Sequence, residues 1–475
     1  MKWTLLRVAV MMAMSAGAAH GQQLSTDPLS TPIESAKDII AVSFREFALI
    51  PDMAGRAPRL MNMIDEPATK RFFVNTLDGA IYTASYDGKV VTPYLDANEA
   101  RWKVRVYAPT IDTGMMSVAF HPQFGQKGAP GHGKFYSYMD TPAGSMAADF
   151  VSGDPKLRDH DTVLLEWTAT DPSAPAYDGR APKELFRIAH PFTFHNGGQV
   201  GFNPLAAPGG PEYGLLYVGS ADGGPQGGTA DPLKMPQNLS SIFGKIVRID
   251  PLGSNSANGK YGIPASNPFA SDARAGTLGE VYAYGLRNPQ RFAWDPKDGR
   301  MYVADIGEAL IEEISPVIAG ANLGWSTWEG SYRYAGPQGV DLSNPRSEEG
   351  LTWPVVEYDH SDPVLPTRVA ITGLVVYRKG PLAALLNKMI FGDIPSGQLF
   401  YVDADNFPRG GNSTIRRILV NDAGTPKTLM QVIQARNQAA GRQGAFRADL
   451  RFGFGSQHEI FILNKADGVI RQLVP

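Results

Sequence analysis

Residues 292–307 read FAWDPKDGRMYVADIG. An aromatic-led strand enters a turn built from Asp, Pro and Gly, and a second apolar strand ends on an acid and a glycine. Short apolar runs bounded this way predict strands joined by tight turns, not helices. The unit recurs as FFVNTLDGAIYTASYDG near 72, VAFHPQF…GKFYSYMD near 120, VGFNPLA…YGLLYVGSADGG near 202, MIFGDIPSGQLFYVDAD near 390 and LRFGFGSQHEIFILNKADG near 452. One such unit cannot bury both its faces alone, so repetition predicts a ring of stacked units. Radial closure also leaves few exposed strand edges. The expectation is an all-β, six-bladed β-propeller with long inter-strand loops; a two-domain β-sandwich protein is the alternative. Insertions at 141–156, 253–276 and 331–362 are rich in Gly, Pro, Ser and Asp. They read as loops over the propeller's faces, where functional residues should concentrate.

Composition narrows the class. The chain has 475 residues, 43% hydrophobic and 19% charged, which is globular. A net charge of −3 offers no electrostatic footprint for nucleic acid. The 51 glycines and 37 prolines are what many tight turns require. With no cysteine, disulfides, thiolate metal sites and cysteine nucleophiles are excluded. Lys2 and Arg7 open an apolar run at 5–18 that breaks at Ala19-His20-Gly21. This reads as a cleaved secretory signal peptide, 1–21, too short to be a comfortable membrane anchor. The reading is then an arm or partial strand at 22–70, a propeller at 71–475, no later membrane span, and a periplasmic or secreted location.

Four places carry candidate chemistry. His195, in HPFTFHNGGQVGF, stands at a tight turn before a strand, and the paired glycines allow close approach of a backbone or ligand. Histidine suits proton abstraction near neutral pH, though a lone histidine is also an ordinary turn residue. Asp222, in YVGSADGG, could orient His195 or simply make an Asp-Gly turn. Arg287-Asn288, in YAYGLRNPQRFAWDP, could hold a carboxylate or a quinone oxygen, or bond blade carbonyls. ADIGEALIEEI carries Asp305, Gly307, Glu308, Glu312 and Glu313, whose carboxylates and loop carbonyls suit calcium or a solvated strand end. Trp325, Trp328, Tyr332 and Tyr334 cluster after GANLGW, either as packing or as a sugar-stacking wall.

VAFHPQF, HNGGQVGF, YVGSADGG, GKIVRIDP, YGLRNPQ, ADIGEALIEEI and GANLGW follow one another in an order and spacing that resemble the soluble PQQ-dependent glucose/sorbosone (aldose sugar) dehydrogenases. The resemblance runs from about Arg71 to the C-terminus. It implies that His195 is the general base for the sugar's anomeric hydroxyl and that Asp222 supports it. It implies that Arg287 and Asn288 contact the quinone oxygens of pyrroloquinoline quinone (PQQ). The carbonyls of Gly307 and Glu308 match those holding a catalytic Ca2+; Glu313 and the Leu323 carbonyl match a second, structural calcium site. The implied reaction oxidises an aldose to its lactone and passes electrons to an external acceptor, a cytochrome or quinone.

The sequence also departs from that pattern. Three PQQ carboxylates need cations, which the glucose enzymes supply as a fifth-repeat lysine and an Arg-x-Arg pair. Here Pro395 stands about where the lysine would fall, and Arg447 and Arg451 are spaced differently, with Arg442 a third possibility. Glu308 replaces a proline and Leu323 a tyrosine, and Thr113-Gly114 stands where the family often has a glutamine. The competing readings are a non-catalytic glycan- or protein-binding propeller and a calcium-dependent lactonase.

Overall fold

The computed structural model describes residues 22–144, 146–154, 156–224, 234–308, 310–366 and 368–475. The signal-peptide expectation, at 1–21, lies outside them. Among the described residues the strands form six four-stranded antiparallel units. The first pairs Leu60–Glu66, Arg71–Thr76, Ala80–Ser85 and Val91–Asp96; the second Met115–Phe120, Lys134–Pro142, His160–Thr168 and Lys183–His190. The third has Val200–Phe202, Leu216–Ser220, Lys245–Ile249 and Val281–Tyr284; the fourth Pro289–Trp294, Met301–Asp305, Ile311–Val317 and Val356–Asp359. The fifth runs Ile371–Tyr377, Lys388–Asp393, Leu399–Asp403 and Arg416–Asp422. The sixth takes Arg451–Phe454, Ile460–Leu463 and Val469–Val474 from the C-terminus and Ile40–Leu49 from the N-terminal segment. The chain is a β-propeller, and the six units fit the six-bladed reading.

The segment read as an arm therefore does more than extend. Ile40–Leu49 is the outer strand of the last unit, antiparallel to Val469–Val474 and parallel to Arg416–Asp422. Leu60–Glu66 opens the first unit and runs parallel to Arg451–Phe454. Only 22–39 behaves as an arm: Leu24–Ser25 pairs with Val340–Asp341, and Leu29 and Ile33 amides donate to Asp359 and Asp362. The segment at 331–362, read as loop, carries short strands Tyr332–Tyr334 and Val340–Asp341, which join Trp328–Glu329 in a small sheet, and also Val356–Asp359, the outer strand of the fourth unit. No described helix is long and apolar enough to cross a membrane.

Closure is held by apolar packing. Phe47, on the closing strand, is 5% exposed and packs on Phe72 of the first unit and Phe461 of the sixth, at centroid distances of 5.7 and 4.8 Å. The Asp87-Gly88 turn sits against it. Gly88 has φ +76°, and a Cβ there would lie 2.0 Å from the Phe47 carbonyl oxygen, so only glycine fits. Phe47→Ala is expected to cost about 3–5 kcal/mol, since it opens a cavity where the ring closes. Equilibrium urea denaturation measures this; a loss below about 1 kcal/mol would mean the closing strand holds by backbone pairing alone.

Candidate active site

In every unit, two connections lie on one side of the sheet ends: the segment entering the first strand, and the link between the second and third strands. Hydrogen bonds tie these connections together around one face. Asp222 lies on such a link in the third unit and Glu308 on that of the fourth; His195 and Arg287 lie on entering segments. His195 has φ +61°, a left-handed conformation that histidine tolerates better than most residues. The following glycines are demanded by other backbone: a Cβ at Gly197 would meet the Gly219 oxygen at 2.4 Å, and one at Gly198 the Pro289 oxygen at 1.9 Å.

His195, Asp222, Arg287 and Glu308 form one bonded chain. His195 is 4% exposed, and its Nδ1 lies 2.8 Å from Asp222 Oδ1. Its Nε2 lies 2.9 Å from Arg287 Nη2. Arg287 Nε and Nη2 donate to Glu308 Oε2 at 2.8 and 2.5 Å, and Nη1 donates to the Ile306 carbonyl at 3.0 Å. Guanidinium is only a donor, so Nε2 must accept, which places the ring proton on Nδ1 facing the carboxylate. Asp222 is fixed by two further donors, the Gly224 amide at 2.9 Å and Trp325 Nε1 at 2.8 Å. Burial by itself would raise the Asp222 carboxyl, but the hydrogen-bonded His195 ring, the Arg287 charge and the Gly224 amide hold it below the ordinary carboxylate range.

Beneath this chain lies Asp305, which accepts from the Arg287 and Asn288 amides at 2.9 and 2.7 Å. Burial pushes it up to about 7 against those donors. Asn288 Oδ1 is buried with no hydrogen-bond partner among the described residues.

The expected metal residues are less convergent. Glu313 sits in register with Asp305 on one side and Glu357 on the other. Burial, then Asp305, Glu357, Glu329 and Glu312, drive its carboxyl well above the ordinary range. Gly307 packs closely on the Ile311 carbonyl, and Leu323 is buried with its amide on the Tyr284 carbonyl at 2.9 Å. Among the described residues no group of three or more His, Asp or Glu is arranged to hold a metal, so ligation would rest on backbone carbonyls with Glu313. The Glu308 side chain is turned to Arg287.

On the opposite rim, Arg451 is 3% exposed, with Nη1 on the Leu450 carbonyl at 2.7 Å, and Arg447 pairs with Asp449 at 2.8 Å. Arg442 lies elsewhere, bonded to Asp52 at 2.7 Å. The Pro395 carbonyl accepts the Ala448 amide at 2.8 Å. Trp325 and Trp328 are buried, Trp328 donating to Glu348 at 2.7 Å. They serve as packing, and Trp325 also orients Asp222. Two residues escaped the sequence reading: Glu329, whose Oε1 accepts the Glu308, Leu310 and Ile311 amides at 3.0 Å each, and Lys465, beside Arg451.

Residues 56–425 match the glucose/sorbosone dehydrogenase family. The chain belongs to that family. Among curated relatives of this dehydrogenase family member, the Arabidopsis thaliana HIPL1 protein is 29% identical over 385 residues, covering 70% of this chain and 51% of HIPL1. The chain thus spans about half the length of that relative. The apo-form soluble aldose sugar dehydrogenase of Escherichia coli superposes with a TM-score of 0.60 at 16% identity, covering 91% of this chain and 99% of that one. The PQQ-bound aldose sugar dehydrogenase of Streptomyces coelicolor gives 0.55 at 18%, covering 90% and 96%. At these identities the likeness establishes the shared propeller fold.

Proposed function

We propose that this family member is a PQQ-dependent sugar dehydrogenase, oxidising an aldose or related sugar to its lactone. The observation that carries this reading is His195 with its Nε2 lone pair turned to the Arg287 fork and its Nδ1–H held by Asp222. The residues suit the cofactor: the orphaned Asn288 Oδ1 marks an uncommitted amide beside Arg287, and Arg447 and Arg451 bring positive charge to a ligand with three carboxylates. Asn288 and Arg287 would hold the quinone end and Arg447 and Arg451 the acids; Gly307, Glu308, Glu313 and Leu323 would hold calcium. When bound, PQQ supplies a two-electron acceptor for hydride from the sugar's C1, and calcium a Lewis acid.

The residues' own part is proton handling. A sugar hydroxyl that displaces Arg287 from Nε2 would give its proton to that lone pair, forming an imidazolium. Asp222 stabilises the cation and keeps the ring from rotating, because Trp325 and the Gly224 amide fix the carboxylate. Glu308 and the Ile306 carbonyl hold Arg287 in place as it lets go. A cytochrome or quinone outside the cytoplasm, in the periplasm or after secretion, would take the electrons. One observation favours a second reading, a non-catalytic glycan- or protein-binding propeller: Glu308 occupies the Arg287 fork.

Reconstitution tests the proposal. Purified protein with PQQ and calcium should reduce a dye with at least one aldose of a panel. EGTA should remove most of that turnover and lower the thermal midpoint, with calcium restoring both. No turnover with any aldose despite saturating PQQ and calcium would favour the binding propeller.

A further inference from the structure

Lys465 lies on the sixth unit's link between Ile460–Leu463 and Val469–Val474, the counterpart of the links that carry Asp222 and Glu308. Its amide donates to the Ala448 carbonyl at 3.3 Å, and the Ala448 amide donates to the Pro395 carbonyl at 2.8 Å. One residue therefore separates it from the position where a lysine is missing. Its Nζ donates to the Ile111 carbonyl at 2.9 Å. The next carbonyl, Asp112, accepts Asn196 Nδ2 at 2.7 Å, and Asn196 follows His195. The ammonium and the histidine thus sit at two sides of one short loop.

We propose that Lys465 and Arg451 form a carboxylate-binding cradle, and that in the enzyme proposed above the carboxylate it takes is the cofactor's. The second half rests on the dehydrogenase reading. The geometry supports a cradle because the cations are under-partnered. Lys465 and Arg451 form no ion pair with a described carboxylate within 4.0 Å, whereas neighbouring Arg447 is paired with Asp449 and Arg59 with Asp78. Arg451 is buried, and its Nε has no partner among the described residues. A buried and a half-buried cation on adjoining turns, neither in an ion pair, favour binding an anion. The charged groups facing Lys465 are Arg451, Asp449, Asp112, Arg59 and Asp78. Burial and Arg451 push its ammonium down to about 7, with Arg59 adding to the push and Asp449 and Asp112 opposing it. Burial likewise brings Arg451 down to about 10. A bound carboxylate would draw the Lys465 proton back.

The sign of the pH effect follows. Below about pH 7 the empty fold carries the Lys465 charge at full cost, and the cost fades as pH rises toward the ordinary lysine value. Lys465→Met should therefore raise the thermal midpoint of the empty protein most at pH 6 and progressively less toward pH 10. It should also weaken PQQ binding at pH 6 by about 10–100-fold, the worth of a charge-assisted hydrogen bond, read by tryptophan-fluorescence quenching. Wild-type affinity should fall between pH 6 and 9, whereas Lys465→Arg should keep its affinity and lose that dependence. A Lys465→Met variant that binds PQQ within about twofold of wild type at pH 6 overturns the cradle. Citrate separates the two halves of the proposal. If PQQ fails to bind the wild type but citrate raises its midpoint and not that of Lys465→Met, the cradle stands and the dehydrogenase reading falls. If neither probe distinguishes the two proteins, the cradle is overturned.

Discussion

Replacing His195 with glutamine is expected to lower turnover of the reconstituted enzyme by about 10²–10⁴-fold while leaving PQQ affinity within a few fold. Glutamine can still accept from Arg287 and bond Asp222, so the bonded chain survives, but it cannot take up a proton. The left-handed backbone at position 195 adds a strain of about 1 kcal/mol for a residue less tolerant of it. His195→Asn, which tolerates that conformation, separates strain from chemistry and should be as inactive. Turnover and quenching titrations on the same preparations decide the matter. If PQQ affinity falls as far as turnover does, His195 holds the ligand and another group takes the proton.

Asp222→Asn should be nearly as damaging, for a reason specific to this site. Oδ1 accepts from His195 Nδ1 and the Gly224 amide, and Oδ2 accepts from Trp325 Nε1. An amide offers only one oxygen. With its NH2 toward Trp325, two donors face each other in a buried pocket. With its NH2 toward His195, the ring must accept at Nδ1, so its proton moves to Nε2 and points at a guanidinium. In the first case the tautomer survives but a neutral amide cannot stabilise the imidazolium; in the second the Nε2 lone pair itself is lost. A fall in turnover of about 10²–10⁴-fold is expected, with a stability cost of about 1–3 kcal/mol for the unsatisfied donor. Steady-state rates and urea denaturation measure the two effects. Wild-type turnover in this variant would mean that Arg287 orients His195 without the carboxylate.

How far the sequence could be read depends on how locally each feature is specified. The hairpins are local: Asp298-Gly299 and Asp467-Gly468 adopt the turn conformations their residues favour, so the repeat was visible in the text. The closing strand is not local. Ile40–Leu49 pairs with Val469–Val474 at the far end of the chain, and nothing near residue 40 announces a partner. The site divides in the same way. His195, Asp222 and Arg287 were recognisable as residues, but only the fold brings two links and an entering segment to one point. Glu308 was read through its carbonyl, whereas its side chain closes on Arg287. Lys465 carries no motif of its own: the family pattern puts its lysine in the fifth repeat, whereas the fold supplies a neighbouring cation from the sixth.

The pairing of Ile40–Leu49 with Val469–Val474 also governs how the ring can assemble. Thermodynamically the long separation matters little, since each doubling of a closed loop costs only about 0.6 kcal/mol. Kinetically it matters more, because contacts between distant residues form slowly. As the chain is synthesised, the earlier units can pair within themselves, but the strand at 40–49 has no antiparallel partner until the final residues emerge. Until then two apolar edges stay open, one at each end of the growing array. Such edges invite pairing with other chains. The polar, charged face of SFREF at 43–47 is suited to protect the first of those edges during the wait.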